Sequence, residues 1–419
     1  MTTIERWSAA AWPTPRRLRV TMLGLRGFPN VQGGVENHAQ NLSLRLIELG
    51  CDVEVIVRSP YVPRASGRTW CDVKLVRLWS PRIKGVEAFL HTFLGVMHAA
   101  WSRPDILHIH AVGPALFTPL ARAVGLRVVV THHVLNYENE KWGLAARALL
   151  RLGERVGMMF ANGRIAVSTA LATRMERTYR VPVRVIPNGI GQPRKLQSTA
   201  ALAAFGLQPH YYVLTVARLD EQKRQLDLIE AFARASRVPW TLAMVGGSDY
   251  SSEYAQAVAH AARRTGRVVM LGHQIGDALA ELYSHAGVFV LPSSHEGQPI
   301  AVLEAMSYGC PAILSDIPAH REIAGAGVQF FPVGDVAALA QRLNDTFLAP
   351  DRRLVDVADQ ERLMKAHDWR QIARNTLDVY LSALPGATRA ARGDVSANSA
   401  EHREVSGSRL PFVGMPART

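Results

Sequence analysis

The residues from Ser293 to Pro311, Ser-Ser-His-Glu-Gly-Gln-Pro-Ile-Ala-Val-Leu-Glu-Ala-Met-Ser-Tyr-Gly-Cys-Pro, constrain this chain more than any other stretch. The preceding Gly-Val-Phe-Val-Leu-Pro, residues 287–292, reads as a short buried strand. Residues 299–308 read as a helix, with Pro299 at its first position and Gly309 at its end, where each residue type is favoured. A helix that opens behind a glycine-containing loop offers unpaired N–H groups and a positive dipole end, which together make an anion site that suits phosphate. Glu296 stands in the loop and Glu304 lies eight residues on, so both can face one ligand from different sides. Two acceptor-only carboxylates beside such a site suit a phosphate compound with hydroxyl-rich groups at both ends, such as a ribose and a hexose.

Glu296 and Glu304, with Gly297 between them, resemble the E-x7-E motif of the retaining family 4 glycosyltransferases. The flanking strand, Pro299, Leu303-Glu304-Ala305-Met306 and Gly309-Cys310-Pro311 extend the resemblance. It covers about residues 18–383. It implies an α/β protein of the GT-B fold, with two Rossmann-like, doubly wound parallel-sheet domains facing across a cleft.

The chain in order agrees with that organisation. Residues 1–16 read as a loose N-terminal arm, and residues 17–190 as a first domain that would receive the acceptor. A strand at 18–24 leads into Arg26-Gly27-Phe28-Pro29-Asn30-Val31-Gln32-Gly33-Gly34-Val35-Glu36-Asn37 and then a helix. Strand, glycine-rich loop and helix is the phosphate-facing geometry of open α/β sheets. Gly33 and Gly34 let backbone approach a ligand without a Cβ in the way. The spacing is not G-x-G-x-x-G, so no nicotinamide cofactor is read from it. The string from Gly24 to Glu36 is similar to a bacterial branch of family 4 that contains rhamnosyltransferase-like enzymes of surface-polysaccharide assembly. Further strands are expected at 52–58, 73–78, 105–110, 127–131 and 164–168, alternating with helices. Thr131-His132-His133, followed by Lys141-Trp142-Gly143, resembles a family segment whose histidine falls on His133 and implies a contact to the donor sugar. Val134 stands where that segment has glycine. His132, facing the other way, reads as structural.

Residues 191–204 read as a linker, 205–367 as a donor domain, 368–384 as a helix that the resemblance returns to the first domain, and 385–419 as a disordered tail. Strands are expected in the donor domain at 211–216, 241–246, 267–271, 288–291, 311–315 and 329–332. The first of these runs into Ala217-Arg218-Leu219-Asp220-Glu221-Gln222-Lys223-Arg224. Arg218 and Lys223, five apart in a strand-to-helix loop, can both point at one pyrophosphate, a bidentate fork beside a compact charge. The stretch is similar to the family's G-R-x-x-x-x-K-G, with Ala217 and Arg224 replacing the glycines.

Composition bounds the rest. The chain has 419 residues, 48% of them hydrophobic, and three scattered cysteines, which suit a reducing compartment without a disulfide frame. Neither a signal peptide nor a membrane span is read from it, and the expected place of work is the cytoplasm, peripheral at the inner face of the plasma membrane. The net charge of +13 is uneven: residues 1–200 hold 27 Lys and Arg against 12 Asp and Glu, and the remainder holds 21 against 23. Nucleic acid, an anionic membrane or a merely solvated surface would each account for the basic half. Residues 86–101 read as a helix apolar on most of its surface. A second helix, 142–161, carries Arg147, Arg151 and Arg155 at i, i+4 and i+8 beside an apolar face, a pattern that can lie on an anionic bilayer.

The resemblance implies a hexosyl transfer, with retention at the anomeric carbon, from a nucleotide-diphosphate-sugar to a saccharide or lipid-linked saccharide acceptor in exopolysaccharide, capsule or lipopolysaccharide biosynthesis. Arg218, Lys223, Glu296 and His133 would be catalytic, and Gly33, Gly34, Gly297, Gln298, Pro299, Ile300 and Glu304 would bind the donor. Asp-x-Asp is absent from the sequence and the diphosphate has cationic partners, so no cofactor and no metal are expected, and no nucleic-acid partner either. The alternatives are a sugar-nucleotide epimerase or glucan synthase of the same fold, or a basic membrane or nucleic-acid adaptor.

Overall fold

A computed structural model describes residues 17–62, 67–83, 85–135, 143–235, 240–248, 252–325, 327–348 and 357–385. The N-terminal arm, nearly all of the C-terminal tail, and Lys141 and Trp142 lie outside these residues. The first domain carries strands Arg19–Leu23 (β1), Asp52–Arg58 (β2), Thr69–Trp70 (β3), Val73–Leu78 (β4), Ile106–His110 (β5), Val128–His132 (β6), Gly163–Ala166 (β7) and Arg184–Val185 (β8). They form one sheet in the order β3-β4-β2-β1-β5-β6-β7-β8, parallel except for the β3–β4 pair. The second domain carries Tyr212–Val216 (β9), Thr241–Val245 (β10), Val268–Gly272 (β11), Val288–Leu291 (β12), Ala312–Ser315 (β13) and Val328–Phe331 (β14). Their order is β11-β10-β9-β12-β13-β14, parallel throughout. This is the GT-B architecture.

The central strands are short apolar runs buried on both faces, as in β6 (Val-Val-Val-Thr-His) and β12 (Val-Phe-Val-Leu). Local chemistry sets the helix starts. The Ser168 hydroxyl accepts from the Leu171 N–H at the head of the helix Thr169–Tyr179, and the Asp368 carboxylate accepts from Arg370 N–H at the head of Trp369–Ala383. In each sheet the strand order reverses beside the first strand, β1 or β9, and the loops at the carboxyl ends there are where such sheets bind ligands.

Two local expectations need correction. Pro299 is the N-cap rather than the first helical residue: its ψ of 110° is extended, and the helix runs Ile300–Ser307. The two-residue strands β3 and β8 lie at the sheet edges, where one-sided pairing leaves no apolar run to mark them.

The last helix, Trp369–Ala383, packs into the first domain. Trp369, Ile372, Ala373 and Tyr380 join Leu18, Val20, Met22, Leu42 and Leu46 in one buried cluster. Tyr380 pairs its hydroxyl with His108 Nδ1 at 2.7 Å, and the Trp369 indole occupies the space a Cβ at Gly189 would need.

On the other face, two helices turn the wrong side inward. Val86–Ser102 buries Glu87, His91, Thr92, Gly95, Val96 and Ala99, with Gly95 hard against Leu23. Its solvent side carries Phe89, Phe93, Met97 and Trp101, one turn apart, with Trp101 84% exposed. Leu144–Phe160 buries Gly153, Glu154, Gly157 and Met158, while Leu144, Leu149, Leu152, Met159 and Phe160 stay exposed. Arg151 and Arg155 are exposed beside them and Arg147 is half-buried.

Replacing the buried Trp369 with alanine should lower stability by about 3–5 kcal/mol, whereas Trp101→Ala on the open face should change it by no more than about 0.5 kcal/mol. Urea midpoints followed by circular dichroism measure both, and equal midpoints would remove Trp369 from the anchoring role.

Candidate active site

Four strand-end loops meet in the cleft. After β9 the Asp220 carboxylate accepts from the Gln222 N–H and closes a single 3-10 turn, Glu221–Lys223, and Arg224 follows with φ of 50°. That tight connection presents Arg218 and Lys223 together. Gln225 Nε2 donates to the Arg218 carbonyl at 2.8 Å and fixes the loop from behind.

After β12, Ser294 N–H donates to the Gln222 carbonyl at 2.8 Å, joining this loop to the previous one. The Lys223 ammonium therefore meets the Glu296 carboxylate, both largely buried. Burial alone would raise the Glu296 carboxyl. The Lys223 charge and hydrogen bond, with smaller contributions from His320 and Ser293, outweigh it and hold the group below the usual carboxylate range. His320 is seated behind by its Nδ1, 2.8 Å from the Ser315 carbonyl.

Glu304 has the opposite fate. It is the fifth residue of the helix Ile300–Ser307, and its partners are neutral: the Tyr283 hydroxyl donates at 3.0 Å and Asn37 Nδ2 approaches from the first domain at 3.5 Å. Burial pushes its carboxyl up to about 7, only partly offset by those two bonds. No side chain caps this helix, so its first-turn N–H groups at Ile300 and beyond have no side-chain acceptor.

The first domain contributes the loop after β1. Arg26 clamps Glu36 with its Nε at 3.0 Å and its own N–H at 3.2 Å. Burial raises the Glu36 carboxyl, but Arg26, and then Arg218 from the opposite domain, bring it below the usual range. A Cβ at Gly33 would collide with the Glu36 carboxylate, whereas Gly34 faces open space. Gln32 Oε1 accepts from the Gly247 N–H across the cleft at 3.1 Å.

His133 is buried just past the end of β6, and its carbonyl lies so close to Gly297 that no Cβ fits between the domains there. Its ring pairs with His110, Nε2 to Nδ1 at 3.1 Å, and packs edge-on to His38. His132 is fully buried within β6, and burial lowers its pKa to about 4. Gln298 is committed to Asn188: its Oε1 accepts the Asn188 N–H at 2.5 Å and its carbonyl accepts from Asn188 Nδ2 at 2.8 Å. The structure thus brings Arg218, Lys223, Glu296, Gly297 and Glu304 to one cleft wall, with Gly33, Gly34 and His133 on the facing wall and Gln298 in the seam.

The family model "Glycosyltransferase Family 4" matches residues 32–191 and "Glycosyl transferases group 1" matches residues 204–362. Both halves of the chain are glycosyltransferase domains. An alpha-maltose-1-phosphate synthase of Mycobacterium tuberculosis is 28% identical over 393 residues, spanning 87% of this chain and 99% of that protein. Among solved structures, sucrose-phosphate synthase of Thermosynechococcus elongatus superposes with a TM-score of 0.75 at 22% identity, covering 87% of this chain and 98% of that one. Anabaena HepE, in complex with UDP and glucose, superposes at 0.71 and 18% identity, covering 88% and 100%.

The cleft also contains residues that sequence reasoning did not single out: Asn37, His38, Glu36, His110, Asn188, Tyr283 and His320. Most partner a group far away in the chain, so no local spacing marks them; Glu36 and His320 pair locally, with Arg26 and Ser315. Asn188 and Gly189 follow a proline in a turn signal, and only the partners of Asn188 show what that turn serves.

Because the Glu304 carboxyl is raised when folded, the folded protein binds more protons than the unfolded chain between about pH 4.5 and 7, and stability through this group falls as pH rises across that window. Glu304→Gln should therefore be more stable than wild type at pH 8, by about 3 kcal/mol and with a higher melting temperature, the gap closing toward pH 4.5. Melting curves across pH measure it, and a gap independent of pH would mean the carboxyl is not raised.

Proposed function

We propose that the protein is a retaining hexosyltransferase that moves a sugar from a nucleotide-diphosphate-sugar to a lipid-linked saccharide at the inner face of an anionic membrane, in exopolysaccharide, capsule or lipopolysaccharide synthesis. The observation that carries the transfer reading is the Lys223–Glu296 pair before an uncapped helix that holds Glu304, with Arg218 in the adjoining loop acting on Glu36 of the facing domain. Arg218 and Lys223 take the diphosphate and stabilise charge growing on the leaving phosphate oxygen. Both already act on carboxylates, Lys223 on Glu296 and Arg218 on Glu36, so a diphosphate exchanges places with anions of the same charge type. Glu304, poised between protonated and ionised near neutral pH, suits the ribose hydroxyls. Glu296, freed from Lys223, faces the sugar hydroxyls, with His133 on the opposite wall. The donor is compensated by side-chain cations and helix amides, and the reading therefore requires no divalent metal for transfer.

Arg218→Ala and Lys223→Ala should each lower turnover on the order of 10²-fold or more while the protein stays folded. In the same assay, excess EDTA should leave turnover undiminished. Wild-type kinetics in either folded variant would refute the phosphate assignment, and loss with EDTA restored by Mg²⁺ or Mn²⁺ would refute metal independence.

The membrane part rests on the reversed helices. Large apolar side chains stand on the open surface of both Val86–Ser102 and Leu144–Phe160 while glycine and small residues face inward, and the exposed Arg151 and Arg155 flank them. No helix among the described residues is long and apolar enough to cross a membrane, so contact is interfacial. The polysaccharide context rests on the similarity of Gly24 to Glu36.

The protein should co-sediment with anionic liposomes at low salt and less at high salt. Replacing Arg147, Arg151 and Arg155 together with glutamine should weaken partition by about 10²-fold, from about 1 kcal/mol per cation. Absence of binding at low salt, or equal binding by both proteins, would point instead to a soluble acceptor.

A further inference from the structure

We propose that His38, His110 and His133 form a binding site for one zinc-class divalent ion on the first-domain wall of the cleft. The three come from separate elements: His38 from the helix Gly34–Glu48, His110 from the end of β5, and His133 from just beyond β6. One ring nitrogen of each lies within 4.8 Å of the others. His110 Nδ1 and His133 Nε2 are 3.1 Å apart, close to the edge of about 3.3 Å of a tetrahedron with Zn–N bonds of about 2.0–2.1 Å. The third ring lies farther out, so closing on an ion draws it inward by about an ångström.

The second ring nitrogens differ in their partners. His110 Nε2 is fully buried and has no hydrogen-bond partner among the described residues; with Nδ1 turned toward the ion, it carries the ring's proton and points away from the site. The neighbouring His108 is satisfied on both sides, by Tyr380 and by Thr131 Oγ1 at 2.7 Å each. The polar contacts behind His38 are those of a metal ligand. The Asn188 Oδ1 lies 2.9 Å from His38 Nδ1; an amide oxygen accepts only, so Nδ1 carries the proton and Nε2 keeps its lone pair. All three rings are buried. Neutral imidazoles ligate. Three of them suit Zn²⁺ and its first-row neighbours, whereas Mg²⁺ and Ca²⁺ take oxygen ligands, of which this set has none.

On the transfer reading above, His133 stands beside the donor sugar. An ion held there occupies the sugar's place, so it acts as an inhibitor of transfer and not as its cofactor. That consequence rests on the proposed function; the metal site itself does not.

The test uses untagged full-length protein, stripped with EDTA and equilibrated by dialysis against Zn²⁺, with metal content read by elemental analysis. Wild type should retain one equivalent. His38→Ala and His110→Ala should each weaken retention on the order of 10²-fold, and His260→Ala, on an exposed helix face, should not. Circular dichroism melts establish that the variants are folded, and Co²⁺ loaded in place of Zn²⁺ should give the visible absorption of a nitrogen-ligated tetrahedral ion in wild type alone. If wild type retains no zinc, or folded His110→Ala retains it undiminished, the site is overturned and the rings serve only as hydrogen-bond partners in the cleft. Retention needs neither donor nor turnover, so a failure of the glycosyl-transfer reading leaves this result standing.

Discussion

Asn188 is the point on which the two-domain arrangement depends. All four of its polar groups are spent while it is buried: the N–H on Gln298 Oε1, Nδ2 on the Gln298 carbonyl, Oδ1 on His38 Nδ1, and its own carbonyl on His367 Nδ1 at 2.7 Å. The chain crosses between domains here twice, and Ile190 pairs with Asp368 where the crossings run side by side. One residue thus fixes the outgoing strand, the returning strand, the loop after β12 and a histidine of the opposite wall. A polar group left unpaired in such a place costs about 1–3 kcal/mol, so full satisfaction of this junction favours one relative position of the two sheets. The Gly297 contact with the His133 carbonyl and the grip of Glu322 on the N–H groups of Thr169 and Ala170, at 2.6 and 3.2 Å, favour the same position.

That closed seam explains the charge pattern inside it. Lys223 neutralises the buried Glu296 and Arg218 acts on the buried Glu36, because an unpaired charge at that depth carries a large desolvation cost. Glu296 and Glu36 are ionised against those cations, whereas Glu304, with only a tyrosine hydroxyl and an amide as partners, holds its proton toward neutral pH. Two glutamates eight residues apart are therefore chemically different, and the difference comes from what the other loops bring to them. Spacing alone says nothing of it.

The fold was legible because the strands are short runs rich in Val, Ile and Leu that alternate with helical stretches; β2, β4 and β12 begin and end at the residues the sequence indicates. Candidates could be read from spacing where residues lie close in the chain, as Arg218 and Lys223 do in the loop after β9, or Gly297 before an uncapped helix. It was not legible where the partner is distant. His38, Asn188 and Gln298 are far apart in sequence, and their roles exist only once the domains have docked. Pro299 illustrates a finer limit: proline suits both the N-cap and the first helical position, and only its ψ decides between them.

The apolar character of residues 86–101 is plain in the sequence, but its direction is a property of the packing. A helix apolar nearly all round can bury any face, and here the inward face is chosen by closeness of approach. Gly95 lets the backbone settle against Leu23, and Gly153 and Gly157 do the same against the turn Val112–Ala115. Larger side chains cannot enter those contacts, so Phe93, Met97, Trp101, Leu152 and Phe160 are left outside. Close helix-to-sheet packing in the first domain thus generates an exposed apolar surface as its by-product, and it does so on the domain that also carries the excess of basic residues. A surface of that size and charge is a liability in water unless something covers it. Its retention beside a closed, well-satisfied cleft is the strongest reason to look for the acceptor at a lipid boundary rather than in bulk solution.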